Sequence, residues 1–342
     1  MKAATHTEYG SPRVLHVENV AVPTLADDQI LVEVYASAVT QGDRRLRAAD
    51  FPGAGAVVGR LMFGLLRPRN PIPGTTFAGK VVVIGKAVTR FEVGDEVFGG
   101  CDNGAQAEYL AVAEGSAVAR IPDGVDYDEA AAVPYGAATA LEFLRDVAAV
   151  QPGERVLIIG ASGGVGRFAV QIARHLGARV TGICSGEKAR MVRELGAQRV
   201  IDHAREDYRQ NGETYDVIFD TVSGDGFRTA KRSLTERGRY VSLYMTLRIG
   251  LQMVWAALFG RMFGGPRPAT GVVINTQKLT EEVAQQLGEG AIWPVIAARF
   301  PLDRVADAHD ELERGNPHGA VVVVCQPGSN RTTRLRPSRL AS

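Results

Sequence analysis

The segment LIIGASGGVG, residues 157–166, has residue types and a spacing that could hold a dinucleotide. Its glycines recur every third residue between an apolar run and the amphipathic stretch RFAVQIARHLG. Such glycines allow a sharp turn out of a strand, let backbone N–H groups approach a pyrophosphate, and let the helix pack closely on the sheet. The helix N-terminus adds unpaired N–H groups and a positive dipole end. The predicted cofactor-binding residues are Gly160, Ser162, Gly163, Gly164, Val165 and Gly166, and a merely tight strand–helix turn is the alternative.

The next predicted strand, RVTGICS, favours NADPH over NADH. An NAD site usually ends this strand with an acidic residue that binds the ribose 2′-hydroxyl, and no acid stands at this tip. Ser185, Lys188 and Arg190 suit a 2′-phosphate through charge-assisted hydrogen bonds, although Glu187 argues against it. We therefore predict NADPH, with Ser185 and Lys188 among its ligands. In the alternative interpretation, the two cations are the solvated face of a helix start.

The elements that must position these residues alternate along the middle of the chain. RVLIIG, RVTGICS, RVID, DVIFDTV and RYVSLY read as strands, with helical stretches between them. This alternation predicts a parallel, doubly wound sheet. The first 120 residues and the last strand, AVVVVC, instead predict a small barrel-like β domain made from both chain ends. The predicted domains are 1–124 (first part of the β domain), 125–282 (dinucleotide domain), 283–327 (second part of the β domain) and 328–342 (flexible tail).

The composition excludes several other classes of protein. With 39 basic and 38 acidic residues the chain carries a net charge of +1, so no nucleic-acid partner is expected. Three cysteines without a CxxC pair predict neither a disulfide framework nor a structural zinc site. The N-terminus lacks the apolar core of a signal peptide, and no run of about 20 apolar residues occurs. A cytoplasmic protein is the expectation.

Four stretches in order carry a family resemblance: PGTTFAGKVVVIGKAVTRFEVGDEVFG, AAAVPYGAATALEFL, QPGERVLIIGASGGVGRFAVQIARHLGA and DTVSGDGF. Together they resemble the medium-chain dehydrogenase/reductase superfamily, and within it the zinc-independent quinone oxidoreductase-like branch. The resemblance implies an α/β fold with a GroES-like β-rich catalytic domain and a Rossmann domain. It also implies a homodimer.

The zinc ligands of that superfamily have no counterparts here. Zinc alcohol dehydrogenases carry a cysteine in the segment that reads AVTQGDRRLR in this chain, and a GHE motif where this chain has GTTFAG. Thr40, Thr75, Thr76 and Phe77 offer neither thiolate nor imidazole, so we predict no metal. Without a Lewis acid, the expected reaction is hydride transfer to an electron-poor acceptor. The branch that this chain resembles reduces quinones and α,β-unsaturated carbonyls. For such a reaction the protein would mainly position the two reactants and place a hydrogen-bond donor at the developing oxyanion.

The candidate site residues follow partly from the same resemblance and partly, for the two tyrosines, from their positions in the predicted elements. The branch usually has VNPxD where this chain reads VTQGD, so Thr40 is left to offer a hydroxyl to the acceptor's oxygen. Tyr135 and Tyr244 are candidate proton donors, with ordinary packing as the alternative for each. Thr139 matches the family threonine near the nicotinamide. His203 stands where the branch often has a tyrosine beside the 2′-phosphate.

Two apolar stretches, 60–69 and 247–264, interrupt the pattern. Near-helical spacing in 247–264, with Arg248 and Arg261 near its ends, fits core or dimer packing, a lipophilic substrate cleft, or weak contact with a membrane surface. The resemblance to quinone oxidoreductase-like proteins with similar insertions favours a lipophilic small-molecule substrate, which is the expectation, and the other two interpretations stay open.

Three alternative functions remain open on the sequence alone. The chain could be a trans-acting enoyl reductase of a biosynthetic pathway. It could be a zinc-free alcohol dehydrogenase, for which Asp43 is the only nearby base. It could also be a non-catalytic NADPH-binding or RNA-binding family member that uses its basic tail.

Overall fold

The computed structural model describes residues 1–50, 55–222, 226–244, 249–253, 265–274, 276–315 and 317–326. Two compact units divide the chain: residues 1–135 with the described residues from 276 onward, and residues 136–274. The predicted borders lie at 124/125 and 282/283, so both ends of the dinucleotide unit differ. Two helices account for this difference, because each packs on strands of the first unit.

The elements have the following bounds. The strands are β1 Lys2–Thr5, β2 His16–Asn19, β3 Gln29–Val39, β4 Thr76–Ile84, β5 Glu96–Gly100, β6 Tyr109–Ala113, β7 Val118–Arg120, β8 Arg155–Ile159, β9 Arg179–Cys184, β10 Arg199–Asp202, β11 Tyr215–Asp220, β12 Leu234–Ser242, β13 Arg267–Thr270, β14 Ile296–Pro301 and β15 Ala320–Val324. The helices are α1 Gln41–Ala48, α2 Gly55–Phe63, α3 Tyr127–Ala131, α4 Pro134–Leu141, α5 Gly166–His175, α6 Ala189–Glu194, α7 Phe227–Ala230, α8 Gln277–Gly288 and α9 Val305–Glu313. Helices α3 and α8 are the two that pack on the first unit, against β3 and β7 respectively.

The first unit is built on a sheet with the strand order β14-β15-β3-β4-β5-β7, and β6 also pairs with β3. The last strand, β15, runs antiparallel to β3, so both chain ends contribute to one sheet. Ile30, Val32 and Val34 alternate along β3 and are fully buried in the core cluster with Phe77 and Val321. Alternation of this kind is what an antiparallel strand with one buried face requires.

The second unit is a six-stranded parallel sheet with the order β10-β9-β8-β11-β12-β13. Val156, Leu157 and Ile158 of central β8 are fully buried, as a strand covered on both faces demands. All the carboxyl ends lie at one edge of the sheet because the strands are parallel. The strand order reverses between β8 and β11, because β9 and β10 follow on one side of β8 and β11 to β13 lie on the other. Doubly wound folds bind ligands at this point, outside the carboxyl ends of the strands. The predicted α/β architecture, a β-rich unit and a parallel doubly wound sheet, is confirmed.

Two stretches of helical composition fold differently from a simple helix. The Ala-rich stretch 126–150 folds as α3, α4 and a π-helical turn, Glu142–Val147, because Pro134 cannot continue a preceding helix. Of the apolar stretch 247–264, only 249–253 is described; it is helical, and Ile249 is buried in the core of the second unit. The remainder of that stretch and the tail 328–342 lie outside the described residues. Within the described ranges, no helix is long and apolar enough to cross a membrane.

Candidate active site

The glycine loop turns tightly between β8 and α5. Gly160 has φ +78°, a left-handed conformation that favours glycine, and its carbonyl oxygen accepts the N–H of Gly163 at 2.9 Å. A Cβ on Gly166 would overlap this same carbonyl oxygen, so the helix approaches the loop as only glycine allows. A Cβ on Gly164 would meet nothing within 4 Å, which leaves open space beside the loop. This shape fits a pyrophosphate seated at the N-terminus of α5.

Helix α4 closes the loop on one side. A Cβ on Gly136 would come within 2.5 Å of the Gly164 carbonyl oxygen and 2.6 Å of the Phe168 ring, so these backbones are in close contact. Thr139 lies one turn further along α4 and is buried, as are Ser162 and Val165. Gly136, about one turn before Thr139 in α4, therefore lies against the predicted loop.

The carboxyl end of β9 carries the predicted 2′-phosphate residues. Ser185 begins a short 3₁₀ turn, and its carbonyl oxygen accepts the Lys188 N–H at 3.0 Å. The Lys188 side chain is buried rather than solvated, and burial lowers its pKa while Glu187 acts in the opposite direction. His203 lies just beyond β10 and is exposed, and its backbone N–H donates to the Cys184 carbonyl oxygen at 3.2 Å. These residues share one edge of the sheet.

Asp202 is an acid at this edge that the sequence patterns did not reveal. It ends β10 and pairs with Cys184 of β9. Its Oδ2 atom would be 2.5 Å from a Cβ on Gly186, so the carboxylate lies beside the tip of β9. The backbone N–H of Ala204 donates a hydrogen bond to Asp202 Oδ1 at 3.1 Å. A carboxylate therefore lies beside the tip of β9, although no acid ends β9 itself.

Arg167 is a second residue that the patterns did not reveal. It follows Gly166 in α5, is 7% exposed, and donates from Nη1 to the Ser162 carbonyl oxygen at 3.0 Å. Burial lowers the pKa of its guanidinium to about 10, and its charge in turn lowers the pKa of Lys188. No carboxylate in the described ranges forms an ion pair with it. Burying a cation without a counter-charge costs free energy, so an anion bound beside Arg167 would stabilise it.

Thr40 and Asp43 form a capping box at the start of α1 in the first unit. Asp43 Oδ2 accepts from both the N–H and the hydroxyl of Thr40 at 2.7 Å, and Thr40 Oγ1 accepts the Asp43 N–H at 3.1 Å. Thr75 Oγ1 lies 3.2 Å from Thr40 Oγ1. Burial raises the pKa of Asp43, and hydrogen bonds with Thr40 and Thr75 oppose this rise. The Thr40 hydroxyl is therefore held in a fixed, polarised position.

The two candidate tyrosines lie in different settings. A Cβ on Gly42 would sit 3.2 Å from both Thr40 Oγ1 and the Tyr135 ring, so Tyr135 and Thr40 flank the same turn of α1. Tyr244 follows β12 in the second unit, where its N–H donates to Ser242 Oγ at 3.3 Å and its carbonyl oxygen accepts the Ser242 hydroxyl at 3.0 Å. Within the first unit, Thr40 and Tyr135 are thus neighbours.

The donors near Thr40 do not suit zinc. Thr40 and Thr75 offer neutral hydroxyls, and Asp43 is engaged in the capping box. The Cys101 thiol donates to the Gly74 carbonyl oxygen at 3.4 Å, and burial raises the pKa of this thiol well above its ordinary value. A zinc site needs thiolate, imidazole or free carboxylate ligands. Among the residues with described positions, no three His, Cys, Asp or Glu side chains are grouped to hold a metal ion.

Two family descriptions match this chain. One, "Alcohol dehydrogenase GroES-like domain", matches residues 26–123, and the other, "Zinc-binding dehydrogenase", matches residues 195–323. Fold, glycine loop and matches together define a dehydrogenase/reductase with a GroES-like unit and a dinucleotide-binding unit.

Similar proteins narrow this class. The 2-methylene-furan-3-one reductase of Solanum lycopersicum is 32% identical over 94% of this chain and 79% of its own length. The chloroplastic NADPH-dependent alkenal/one oxidoreductase of Arabidopsis thaliana is 30% identical with the same coverage. The quinone oxidoreductase structure from Coxiella burnetii superposes with a TM-score of 0.82 at 26% identity, covering 95% of this chain and 99% of that one. The chain belongs to the medium-chain dehydrogenase/reductase superfamily as a quinone oxidoreductase-like member, and it is an oxidoreductase.

Proposed function

We propose that this protein is an NADPH-dependent, zinc-independent reductase of a lipophilic quinone or α,β-unsaturated carbonyl compound. Reductases of quinones and enones among its relatives support the reaction class. The hydroxyl-rich donor set around Thr40 supports zinc independence, because neutral hydroxyls are poor zinc ligands. A homodimeric, cytoplasmic enzyme is part of this proposal.

The observation that carries the cofactor assignment is the buried, uncompensated charge of Arg167 beside the glycine loop. Backbone N–H groups of the loop and of the α5 N-terminus would hold the pyrophosphate. Ser185, Lys188 and Arg167 would hold the 2′-phosphate, with His203 at the exposed rim of the same edge. Thr139, buried beside the loop, would contact the nicotinamide end.

The reduced nicotinamide, when bound, supplies the hydride. This chain's own task is to stabilise the negative charge that develops on the acceptor's oxygen, and to provide a proton there. In the proposal the single hydroxyl proton of Thr40 turns from Asp43 Oδ2 to that oxygen when the acceptor binds, and the Asp43 N–H and Thr75 keep Thr40 Oγ1 in place. Tyr135 Oη gives the proton, because its ring adjoins the same turn of α1. Tyr244 is the alternative proton donor.

The alternatives receive less support. An enoyl reductase would use the same groups on a different substrate, so it stays a variant of this proposal. A zinc-free alcohol dehydrogenase would need Asp43 as its base, but this residue is 1% exposed and its Oδ2 atom accepts from both donors of Thr40. The tail that an RNA binder would use lies outside the described residues.

The test is oxidation of NADPH, beside NADH, with a quinone, an alkenal, a 2-enone and a simple ketone as acceptors. The expected result is turnover with the quinone or the enone, little with the ketone, and no change when a chelator is added. NADPH binding without turnover for every acceptor would contradict the proposal and favour a non-catalytic binder.

Variants then test the assigned roles. Thr40→Val should lower kcat about 100-fold by removing a donor to the oxyanion. Tyr135→Phe should lower it by a similar factor, about 100-fold, if Tyr135 is the general acid. Tyr109→Phe is the matched control, because that hydroxyl contacts Glu33 on the sheet. Full activity in Tyr135→Phe together with a large loss in Tyr244→Phe would move the acid to Tyr244.

A further inference from the structure

Residues 60–69, RLMFGLLRPR, form an apolar–basic loop that the reductase reaction does not use. Four large apolar side chains in it are exposed: Leu61 by 57%, Met62 by 61%, Leu65 by 60% and Leu66 by 86%. Scattered exposed leucines are ordinary, but four exposed large apolar side chains within six residues concentrate apolar surface in one short segment. Such a surface on a folded unit is typical of an interaction site.

The loop is held in a defined shape. Gly64 has φ +127° and its carbonyl oxygen accepts the Tyr9 hydroxyl at 2.7 Å, so the chain reverses at a fixed point after α2. Arg69 donates from Nη2 to the Leu61 carbonyl oxygen at 2.9 Å, and its N–H donates to the Phe63 carbonyl oxygen at 2.8 Å. These bonds satisfy the backbone at the end of α2 and leave the leucine side chains pointing outward.

The same loop carries uncompensated positive charge. Arg60, Arg67 and Arg69 are all exposed, and no carboxylate in the described parts of the chain forms an ion pair with any of them. No Asp or Glu occurs anywhere from residue 51 to residue 91. Arg67 and Arg69 also line, with His6, Leu65 and Leu66, an open groove of about 590 Å³. Two of the exposed leucines and two of the arginines thus border one groove.

Exposed apolar side chains beside exposed arginines favour one kind of binding partner for this loop over another. In a two-fold dimer whose axis passes through this patch, three arginines would face three arginines without a neutralising acid. An anionic lipid surface instead places headgroup phosphates opposite the arginines and acyl chains beneath the leucines. We propose that the 60–69 loop docks this protein on anionic membranes, with Leu61, Met62, Leu65 and Leu66 entering the headgroup region. This inference does not depend on the proposed reaction.

The test is co-sedimentation of the full chain with vesicles of phosphatidylcholine, alone or with about one third phosphatidylglycerol. Binding is expected only to the anionic vesicles and should weaken as salt rises, because the charges are screened. Leu65→Ser combined with Leu66→Ser should weaken binding at least about tenfold, since two large apolar groups no longer leave water. Arg67→Gln should weaken it about fivefold.

The controls are Val93→Ser, an equally exposed apolar residue at 62%, and Arg237→Gln, an exposed arginine on β12. Both should bind like the unaltered protein, and NADPH binding by fluorescence should be unchanged in every variant. Equal binding to neutral vesicles, no binding to either kind, or an equal loss in the control variants would overturn the proposal. Monomers formed only by the leucine variants, without vesicle binding by the unaltered chain, would make this face a self-association surface instead.

Discussion

On the proposed NADPH assignment, replacing Arg167 by methionine should leave a protein that uses NADPH and NADH about equally. Methionine keeps a similar length and removes the charge. The side chain is 7% exposed and makes one hydrogen bond, to the Ser162 carbonyl oxygen. The remaining donors of the guanidinium are what a phosphate would accept. If that phosphate is the 2′-phosphate, only NADPH binding should suffer.

The magnitude follows from two values. A hydrogen bond to a charged group contributes about 1.5–3 kcal/mol, so the KM for NADPH should rise roughly 10- to 150-fold. Burial lowers the pKa of Arg167 from 12.5 to about 10, which corresponds to about 3 kcal/mol against the charged form at neutral pH. The free Arg167→Met protein should therefore be as stable as the unaltered protein, or more stable by up to about this amount of 3 kcal/mol.

Two measurements check this prediction: initial rates with NADPH and NADH at a fixed acceptor concentration, and urea unfolding without cofactor. Arg174→Met, on the exposed face of the same helix, is the matched control and should change neither KM. An equal rise in KM for both cofactors would refute the reasoning, because Arg167 would then bind the pyrophosphate that NADPH and NADH share. A large loss of stability of the cofactor-free Arg167→Met protein would also refute it, because the Arg167 charge would then already be stabilised by groups of the protein itself.

Three further predictions concern neighbouring residues. Gly166→Ala should abolish turnover and lower the unfolding temperature, because its Cβ would overlap the Gly160 carbonyl oxygen; normal NADPH turnover would show that the helix can retreat. Asp202→Asn should lower the KM for NADPH about fivefold, since a carboxylate no longer faces the phosphate, and an unchanged KM would place Asp202 outside the site. Arg47→Met should cost about 3 kcal/mol in urea unfolding, because Arg47 is 1% exposed and pairs with Glu313; its KM values should be unchanged, and a cost near zero would contradict a structural role.

The sequence was sufficient for the backbone of the nucleotide unit. Apolar runs of strand length alternate with amphipathic stretches, and a glycine at every third position after a buried strand is typical of a dinucleotide-binding turn. The order and type of the elements from β8 to β12 could therefore be predicted. The borders of the unit could not, because whether α3 and α8 pack on one sheet or the other depends on tertiary contacts and not on local composition.

Charges at the cofactor edge were harder to predict for the same physical reason. Arg167 lies in an amphipathic helix, where an arginine is usually solvated, and only the packed structure shows it to be buried. Asp202 is distant from Gly186 in the chain and meets it because β10 pairs with β9 in register. Thr40 was predicted as a candidate hydroxyl, but its engagement with Asp43 needs the first turn of α1 to form.

The choice between the two cofactors depends on how these opposing charges are buried. Asp202 repels a 2′-phosphate, but it is partly exposed, and its ion pair with Arg205 lies at the surface, where water and salt weaken charge interactions. Arg167 and Lys188 are buried, so their attraction for a phosphate acts through a medium that screens it far less. Two buried cations should therefore outweigh one partly solvated carboxylate. This reasoning supports the proposed preference for NADPH even though an acid stands beside the tip of β9, and it predicts that Arg167→Met changes the preference more than Asp202→Asn does.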